Sequence, residues 1–346
     1  MPIPDVIFGF GAHSDIAQTP GMLRTVEQAD RDGLDIFSLS DHPYFGERLD
    51  AYASIGFILG RTSRISGLAN VTNLPTRPAP MLARTVTSLS TLSGGRIVLG
   101  MGAGGLWDRI ADMGVQPLAP GAAVDAFEEA IVLVRLLSGG TGGTSETGRT
   151  GGANRTGEVG EASGVGGTGG TGGADGAGGA NGGQPVSYQG RYYHVREIAP
   201  APAAAPAVWT GSVGAKSLAA TGRVADGWIP GHAADWLSER YRTSRPVIDE
   251  AAATVGRDPR EIRTVFNFPG RITDRPLAAP RDEDGRWIGG SAGQWVEELT
   301  GAVLEHGAGG FILFAPGGGA QDIVSLGRWA SEVVPAVREA IAKGSS

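Results

Sequence analysis

A short apolar run rich in β-forming residues, followed by an amphipathic helical pattern, recurs eight times along this chain, and few folds accommodate such a rhythm. The runs and their helices fall at 6–10 with 21–32, 35–39 with 51–60, 64–72 with 81–92, and 96–100 with 124–137. They resume at 207–210 with 215–224, 227–229 with 236–255, 262–268 with 294–306, and 310–314 with 323–341. Alternation of this kind specifies a parallel sheet, because parallel neighbours need a crossover helix between them. An open doubly wound sheet shares the local pattern, but eight repeats favour a closed (β/α)8 TIM barrel of class α/β.

Between the two sets of four lies a different kind of sequence. Of the 346 residues, 58 are glycine, and they concentrate in a Gly/Thr/Ala/Ser tract over 138–183 with almost no large apolar side chain. Such a tract cannot bury enough surface to offset the entropy of ordering it. The expectation is a single barrel domain over 1–346 with a solvated, disordered insertion over 138–183 after the fourth helix. A small hairpin is expected over 186–193, where the chain rejoins the barrel.

Composition narrows the chemistry. The net charge of −7 offers no basic field for a nucleic-acid backbone or an anionic membrane. No cysteine is present, which excludes disulfides, thiolate metal sites and cysteine nucleophiles. No apolar stretch approaches the about 18 residues of a membrane span, and no metal site is expected, so a cytoplasmic protein without nucleic-acid or membrane partners is the default.

In a parallel barrel the working groups sit just past the carboxyl ends of the strands. Those positions hold His13; Asp41, His42 and Tyr44; Asn70, Val71 and Thr72; the glycine-rich 100–105 segment followed by Trp107 and Asp108; 211–214; and His232. A histidine beside an aspartate can hold or relay a proton near neutral pH, although a strand-end histidine satisfied by a carbonyl has the same sequence. Gly211, Ser212, Val213 and Gly214 precede a helix whose free amides could hold a phosphate; an ordinary turn with Ser212 as N-cap reads the same way. Residues 100–105 spell GxGxxG but lack the acidic strand end of a dinucleotide fold, so close backbone approach to a planar ligand by Gly102 and Gly104 fits equally well. The tryptophans at 209, 228, 295 and 329 suit a core. His194 and His306 suit the surface.

Taken together, Ser40-Asp41-His42-Pro43, Leu68-Ala69-Asn70-Val71-Thr72 with Arg77-Pro78, Leu92 to Gly104, and Trp209-Thr210-Gly211-Ser212 through Ala225-Asp226-Gly227-Trp228 resemble the luciferase-like monooxygenase superfamily. The resemblance implies an oxidoreductase that moves a hydride or two electrons to or from a small organic substrate, using coenzyme F-420, a deazaflavin, or FMN. It implies Asp41 and His42 beside the ring, with His42 as proton donor or relay. Asn70 and Val71, joined by a non-prolyl cis peptide, would buttress the ring, Thr72 would bond its polar edge, and 211–214 would hold its phosphate. His13, Tyr44, Trp107, Asp108 and His232 are substrate-side candidates. Gly105 stands where the sugar-phosphate dehydrogenase branch has a glutamate, which argues against that substrate class and leaves Asp108 as a substitute. A homodimer and a separate flavin or deazaflavin reductase as partner are further implications.

The same motifs suit an FMN monooxygenase that activates oxygen or a non-catalytic flavin-binding barrel, and the glycine tract could instead make the chain an interaction protein. Excision of 139–183 separates the last idea from the others. The shortened chain is expected to keep cofactor binding and activity, with a thermal midpoint within about 4 °C of the parent, equivalent to roughly 1 kcal/mol. Loss of activity on excision would make the tract the working part.

Overall fold

The structure is a computed structural model that describes residues 6–139, 184–231, 234–314 and 323–344. The strands are β1 Ile7–Gly11, β2 Ile36–Leu39, β3 Ser66–Ala69, β4 Thr72–Asn73, β5 Ile97–Gly102, β6 Val186–Gln189, β7 His194–Ile198, β8 Val208–Thr210, β9 Gly227–Trp228, β10 Arg263–Pro269, β11 Arg271–Thr273, β12 Gly289–Ser291 and β13 Ala308–Phe314. The helices are α1 Thr19–Asp32, α2 Ala51–Leu59, α3 Ala79–Ser93, α4 Trp107–Asp112, α5 Pro120–Leu137, α6 Ala215–Val224, α7 Glu239–Thr254, α8 Ala292–His306, α9 Ile323–Arg328 and α10 Val334–Gly344.

The main sheet runs β3-β2-β1-β13-β10-β9-β8-β5-β4, and β3 also pairs with β5, which closes the ring. Every pairing in it is parallel. With β3 and β4 counted as one interrupted strand, this is the eight-stranded barrel the repeats demand.

Side-chain alternation sorts the strand residues into two layers. Ile7, Ile36, Leu68, Val98, Trp209, Ile229, Val265 and Ile312 point inward and form a plug inside the ring. Their neighbours, among them Phe8, Phe37, Leu99, Phe266 and Phe311, point outward and pack beneath the helices. A period of two along each strand produces both faces from one apolar run, which is why the runs read as continuously hydrophobic. Full burial of each such side chain contributes about 1.5 to 3 kcal/mol. All four tryptophans assigned to the core are buried there.

Several boundaries differ from the sequence expectation. The third run is not one strand over 64–72: it breaks at Asn70–Val71, whose peptide bond is cis as the resemblance implied. The helix expected from 236 starts at Glu239 because the Ser238 side chain caps it, accepting from the Tyr241 amide at 3.2 Å. The last helix is interrupted by a π-helical turn over Trp329–Val333. Helix α4 and the parallel pair β11–β12 were not expected, since elements of six and three residues carry too little periodicity to register. Ser138 and Gly139 still belong to the turn that ends α5; the rest of the expected insertion lies outside the described residues. The hairpin is present as β6 and β7.

Two buried polar clamps fix where β3 begins, and hence where its far end emerges at the mouth. Asp30 in the last turn of α1 accepts from the amides of Ser63, Arg64 and Ile65 at 3.0, 2.8 and 2.7 Å. Arg96 donates to the carbonyls of Leu59, Ser93 and Ile65 at 2.8, 2.9 and 3.0 Å, joining α2, α3 and the start of β3. Burial raises the Asp30 pKa, but its hydrogen bonds outweigh that and leave it lowered, so this carboxylate stabilises the fold above the usual Asp range and the contribution fades as acid protonates it. Asp30→Ala is expected to cost roughly 2 to 4 kcal/mol in urea unfolding at pH 7, because it leaves these amides unpaired. The deficit should shrink toward pH 3, and a loss below about 0.5 kcal/mol would remove the clamp from the account.

Candidate active site

The carboxyl ends of β2, β3, β5 and β8 surround a cleft of about 390 Å3. Asp41, His42, Tyr44, Asn70, Val71, Thr72, Gly102, Gly104, Gly211, Ser212 and Val213 all line it, together with Asn73, Ala103, Gly105, Leu106, Val124 and Ser217. Residues far apart in the sequence therefore share one wall, and Gly214 stands beside it as the N-cap of α6.

Val71 forms the floor. A Cβ on Gly102 would lie 2.7 Å from the Val71 side chain, and one on Gly211 would lie 3.2 Å from it. Glycine at both positions is what lets the valine sit between two neighbouring strands. Below the floor, Asn70 and Asn267 exchange amide hydrogen bonds at 3.0 and 3.3 Å, and Asn70 donates to the Ser38 hydroxyl at 3.4 Å. These bonds fix the segment that carries Val71, whose side chain packs against the apolar plug and lines the cleft.

Asp41 is anchored by an arginine. Its side chain is 1% exposed and receives a bidentate Arg77 fork, with Nε and Nη2 at 2.7 Å each, plus the Asn73 amide at 3.0 Å. Arg77 also donates to Asp50 at 2.6 Å, and its guanidinium lies 4.9 Å from the centre of the Tyr52 ring. Tyr52 in turn shares a 2.6 Å hydrogen bond with the Thr72 hydroxyl, so Thr72 spends that group inside the protein.

His42 is held by Tyr44 instead, through a 2.7 Å contact between Nδ1 and the phenol oxygen, which leaves the other ring nitrogen for a ligand. Burial depresses the His42 pKa, the Arg48 charge adds to that, and Asp41 opposes it, so the imidazole is neutral at neutral pH. Burial lifts the Tyr44 pKa against the opposing Asn73 hydrogen bond, which keeps the phenol protonated. Asn73 Oδ1 is buried without a hydrogen-bond partner, although a buried carbonyl of this kind is costly to leave unmet.

At the far end, the amides of the first turn of α6 have no acceptor within their own helix. Ser212 is not the cap: its carbonyl accepts from Trp228 Nε1 at 2.8 Å and its hydroxyl accepts from Thr221 at 2.9 Å. The Ser217 hydroxyl bonds the Gly214 carbonyl at 2.9 Å. Leu106 and Val213 flank the cleft as exposed large apolar side chains.

Other candidates fall outside the cleft. His13 is not among its lining residues and sits 3.9 Å from Asp15. Asp108 is exposed on α4. Trp107 lines a neighbouring pocket rather than this one. His232 lies outside the described residues. Arg77, Asn73 and Asn267 were not picked out as site residues. Arg77 stood in a family motif with no role attached to it, whereas Asn267 was hidden inside an apolar strand run.

A planar heterocycle with a phosphate tail fits these residues: a valine floor with apolar flanks, a buried carbonyl waiting for an N–H, and a helix N-terminus at one end. The class so defined is a parallel barrel with a cofactor-sized cleft at its carboxyl mouth. The chain belongs to the luciferase-like monooxygenase family, whose model matches residues 7–309. Among solved structures it is similar to the coenzyme F-420-dependent tetrahydromethanopterin reductase of Methanopyrus kandleri, at TM-score 0.68 and 16% identity over 96% of this chain and 99% of the other. It is also similar to an F-420-dependent secondary alcohol dehydrogenase, at TM-score 0.67 and 15% identity over 97% and 100% of the two chains. The EDTA monooxygenase of a Chelativorans species scores 0.67 at 16% identity over 97% and 94%. Comparison with curated protein sequences finds no match. Among the described residues no helix is long and apolar enough to cross a membrane, and no cluster of His, Asp or Glu could hold a metal ion.

Arg77→Met is expected to destabilise the fold by about 3 to 5 kcal/mol in chemical denaturation, because it strands the buried Asp41 carboxylate. Arg77→Lys should recover part of that loss but not the bidentate geometry. A methionine variant as stable as the parent would show that the pair is dispensable.

Proposed function

We propose that the chain is a flavin-type oxidoreductase that exchanges a hydride with a small organic substrate, with coenzyme F-420 as cofactor and His42 as the proton-handling residue. The observation that carries this reading is the convergence of His42, Val71, Asn73, Gly102 and 211–213 on one cleft, with the Gly214 N-cap of α6 beside it. A bound deazaflavin or flavin supplies two-electron chemistry. Val71 and the glycines beside it would support the ring, Asn73 Oδ1 would accept from a ring N–H, and the amides at the α6 N-terminus would receive phosphate. The similarity to two F-420 enzymes supports the deazaflavin. The comparable similarity to EDTA monooxygenase supports a second reading, FMN-dependent monooxygenation.

The protein's own contribution to the reaction is proton management. Neutral at working pH, His42 is poised to take a proton from a substrate hydroxyl as it is oxidised, or to return one in the reverse direction. Tyr44 holds the ring by Nδ1 and fixes its orientation, and the phenol itself stays protonated. Asp41, tied to Arg77, fixes the loop from which His42 projects and adds negative potential nearby. A homodimer and a partner reductase remain part of the proposal, from the family resemblance alone.

Absorbance titration with coenzyme F-420 and with FMN, followed by stopped-flow mixing of the reduced complex with oxygen, tests the reading. Micromolar binding of F-420 and indifference to oxygen are expected; tight FMN with fast oxygen consumption selects the monooxygenase, and binding of neither refutes both. His42→Ala should keep cofactor binding and lower turnover by about 10² to 10⁴. The acid limb of the pH–rate profile should lie below pH 6.5, and Arg48→Gln should move it upward, since the Arg48 charge is one of the depressing causes. A limb unmoved by that change would take His42 out of the proton path.

A further inference from the structure

A second cavity, of about 290 Å3, lies behind the loop that follows β5 and shares Ala103 with the cofactor cleft. Its walls are mainly apolar, with Leu74, Pro75, Trp107 and Leu118 facing Ala123 and Ala126 on α5, and Tyr192 and Tyr193 contributed by the hairpin. Gly104 sets the partition between the two spaces. At φ +104° it lies so close to the loop's own contacts that a Cβ would come within 2.9 Å of Pro75 and 3.0 Å of the Trp107 ring. That packing accompanies a Trp107 ring that lines the second cavity and not the cleft.

The two tyrosines are placed there by a dedicated anchor. Glu129 on α5 accepts from the amides of Arg191, Tyr192 and Tyr193 at 2.8, 2.9 and 3.3 Å, so one carboxylate grips the whole hairpin turn. Gly190 admits it, because a Cβ at that position would fall 2.3 Å from a Glu129 oxygen. Burial, with Glu129 nearby, pushes the Tyr193 pKa up to about 12, and that phenol stays neutral. The Tyr192 hydroxyl is buried with no hydrogen-bond partner. A mainly apolar pocket, with Gln116 and two tyrosines among its lining, one buried hydroxyl unmet and a residue shared with the reaction cleft, has the make-up of a ligand site, in which apolar surface gives affinity and a few polar groups give orientation.

We propose that this pocket receives the apolar arm of the enzyme's substrate, an alkyl or aryl group bearing an oxygen that pairs with the Tyr192 hydroxyl. The assignment rests on the oxidoreductase reading for the reaction itself, with the reacting carbon in the cleft and the arm reaching past Ala103. It narrows the substrate class to hydrophobic alcohols, phenols and carbonyl compounds and disfavours compact, highly charged metabolites.

Calorimetric titration of the full chain, with and without coenzyme F-420 or FMN, with phenol, 4-ethylphenol, 4-propylphenol and 4-butylphenol tests this. Saturable binding is expected to tighten by about fourfold per added methylene. Ala126→Leu, which fills the pocket from α5, should weaken 4-butylphenol at least tenfold and leave cofactor titration unchanged. Tyr192→Phe preserves the packing and should weaken 4-propylphenol by about threefold to tenfold. Affinity independent of chain length, or parental binding by both variants, overturns the assignment. Cofactor binding without alkylphenol binding refutes the pocket alone, whereas alkylphenol binding by a protein that binds neither coenzyme F-420 nor FMN refutes the oxidoreductase reading and leaves the pocket standing.

Discussion

Closing the ring is the constraint from which the site follows. Strands β3 and β5 pair at Gly67↔Ile97 and Leu68↔Val98, the chain then leaves the ladder at Asn70 and Val71, and pairing resumes as β4 at Thr72↔Met101 and Asn73↔Gly102. The interruption delivers Val71 to the mouth, and Gly102 at the end of β5 and Gly211 just past β8 leave room for its side chain. The same closure brings Asn70 opposite Asn267, which no contact along the sequence would do.

Above that floor the site is organised as two charge systems that barely overlap. Asp41, Arg77 and Asp50 form a compact ion cluster that locks the β2 and β4 loops together, with Tyr52 packed against the guanidinium. His42, Tyr44 and Asn73 form a neutral chain on the cleft side. One system is buried and paired within the protein, and the other leaves a ring nitrogen of His42 at the cleft without a protein partner among the described residues. A carboxylate that is already paired and buried can influence His42 through its field without competing for its ring nitrogens.

Much of the barrel was legible because each strand buries both faces and each helix buries one, and both leave strong periodic marks. The cleft residues at 41, 42, 70–72, 102, 104 and 211–213 were legible because a parallel barrel puts its loop residues at strand ends around one mouth and because family motifs coincide with them. What sequence could not supply was direction. Trp107 and Ser212 lie in the expected loops, yet Gly104 packs against the one and Thr221 and Trp228 bond the other. Partners across the ring were equally silent: Arg77 lies 36 residues from Asp41, and Asn267 lies 197 from Asn70. Neither spacing is a motif, since only the closed sheet defines it.

The central claim is that one tricyclic ring lies on Val71 with its phosphate at the start of α6. A crystal structure of the protein with coenzyme F-420 or FMN bound tests it most directly. The account predicts ring atoms in van der Waals contact with Val71, a ring N–H on Asn73 Oδ1, and phosphate oxygens on the amides between Val213 and Ser217. Electron density for the cofactor anywhere else, with the cleft between His42 and Val213 left to solvent, would contradict it.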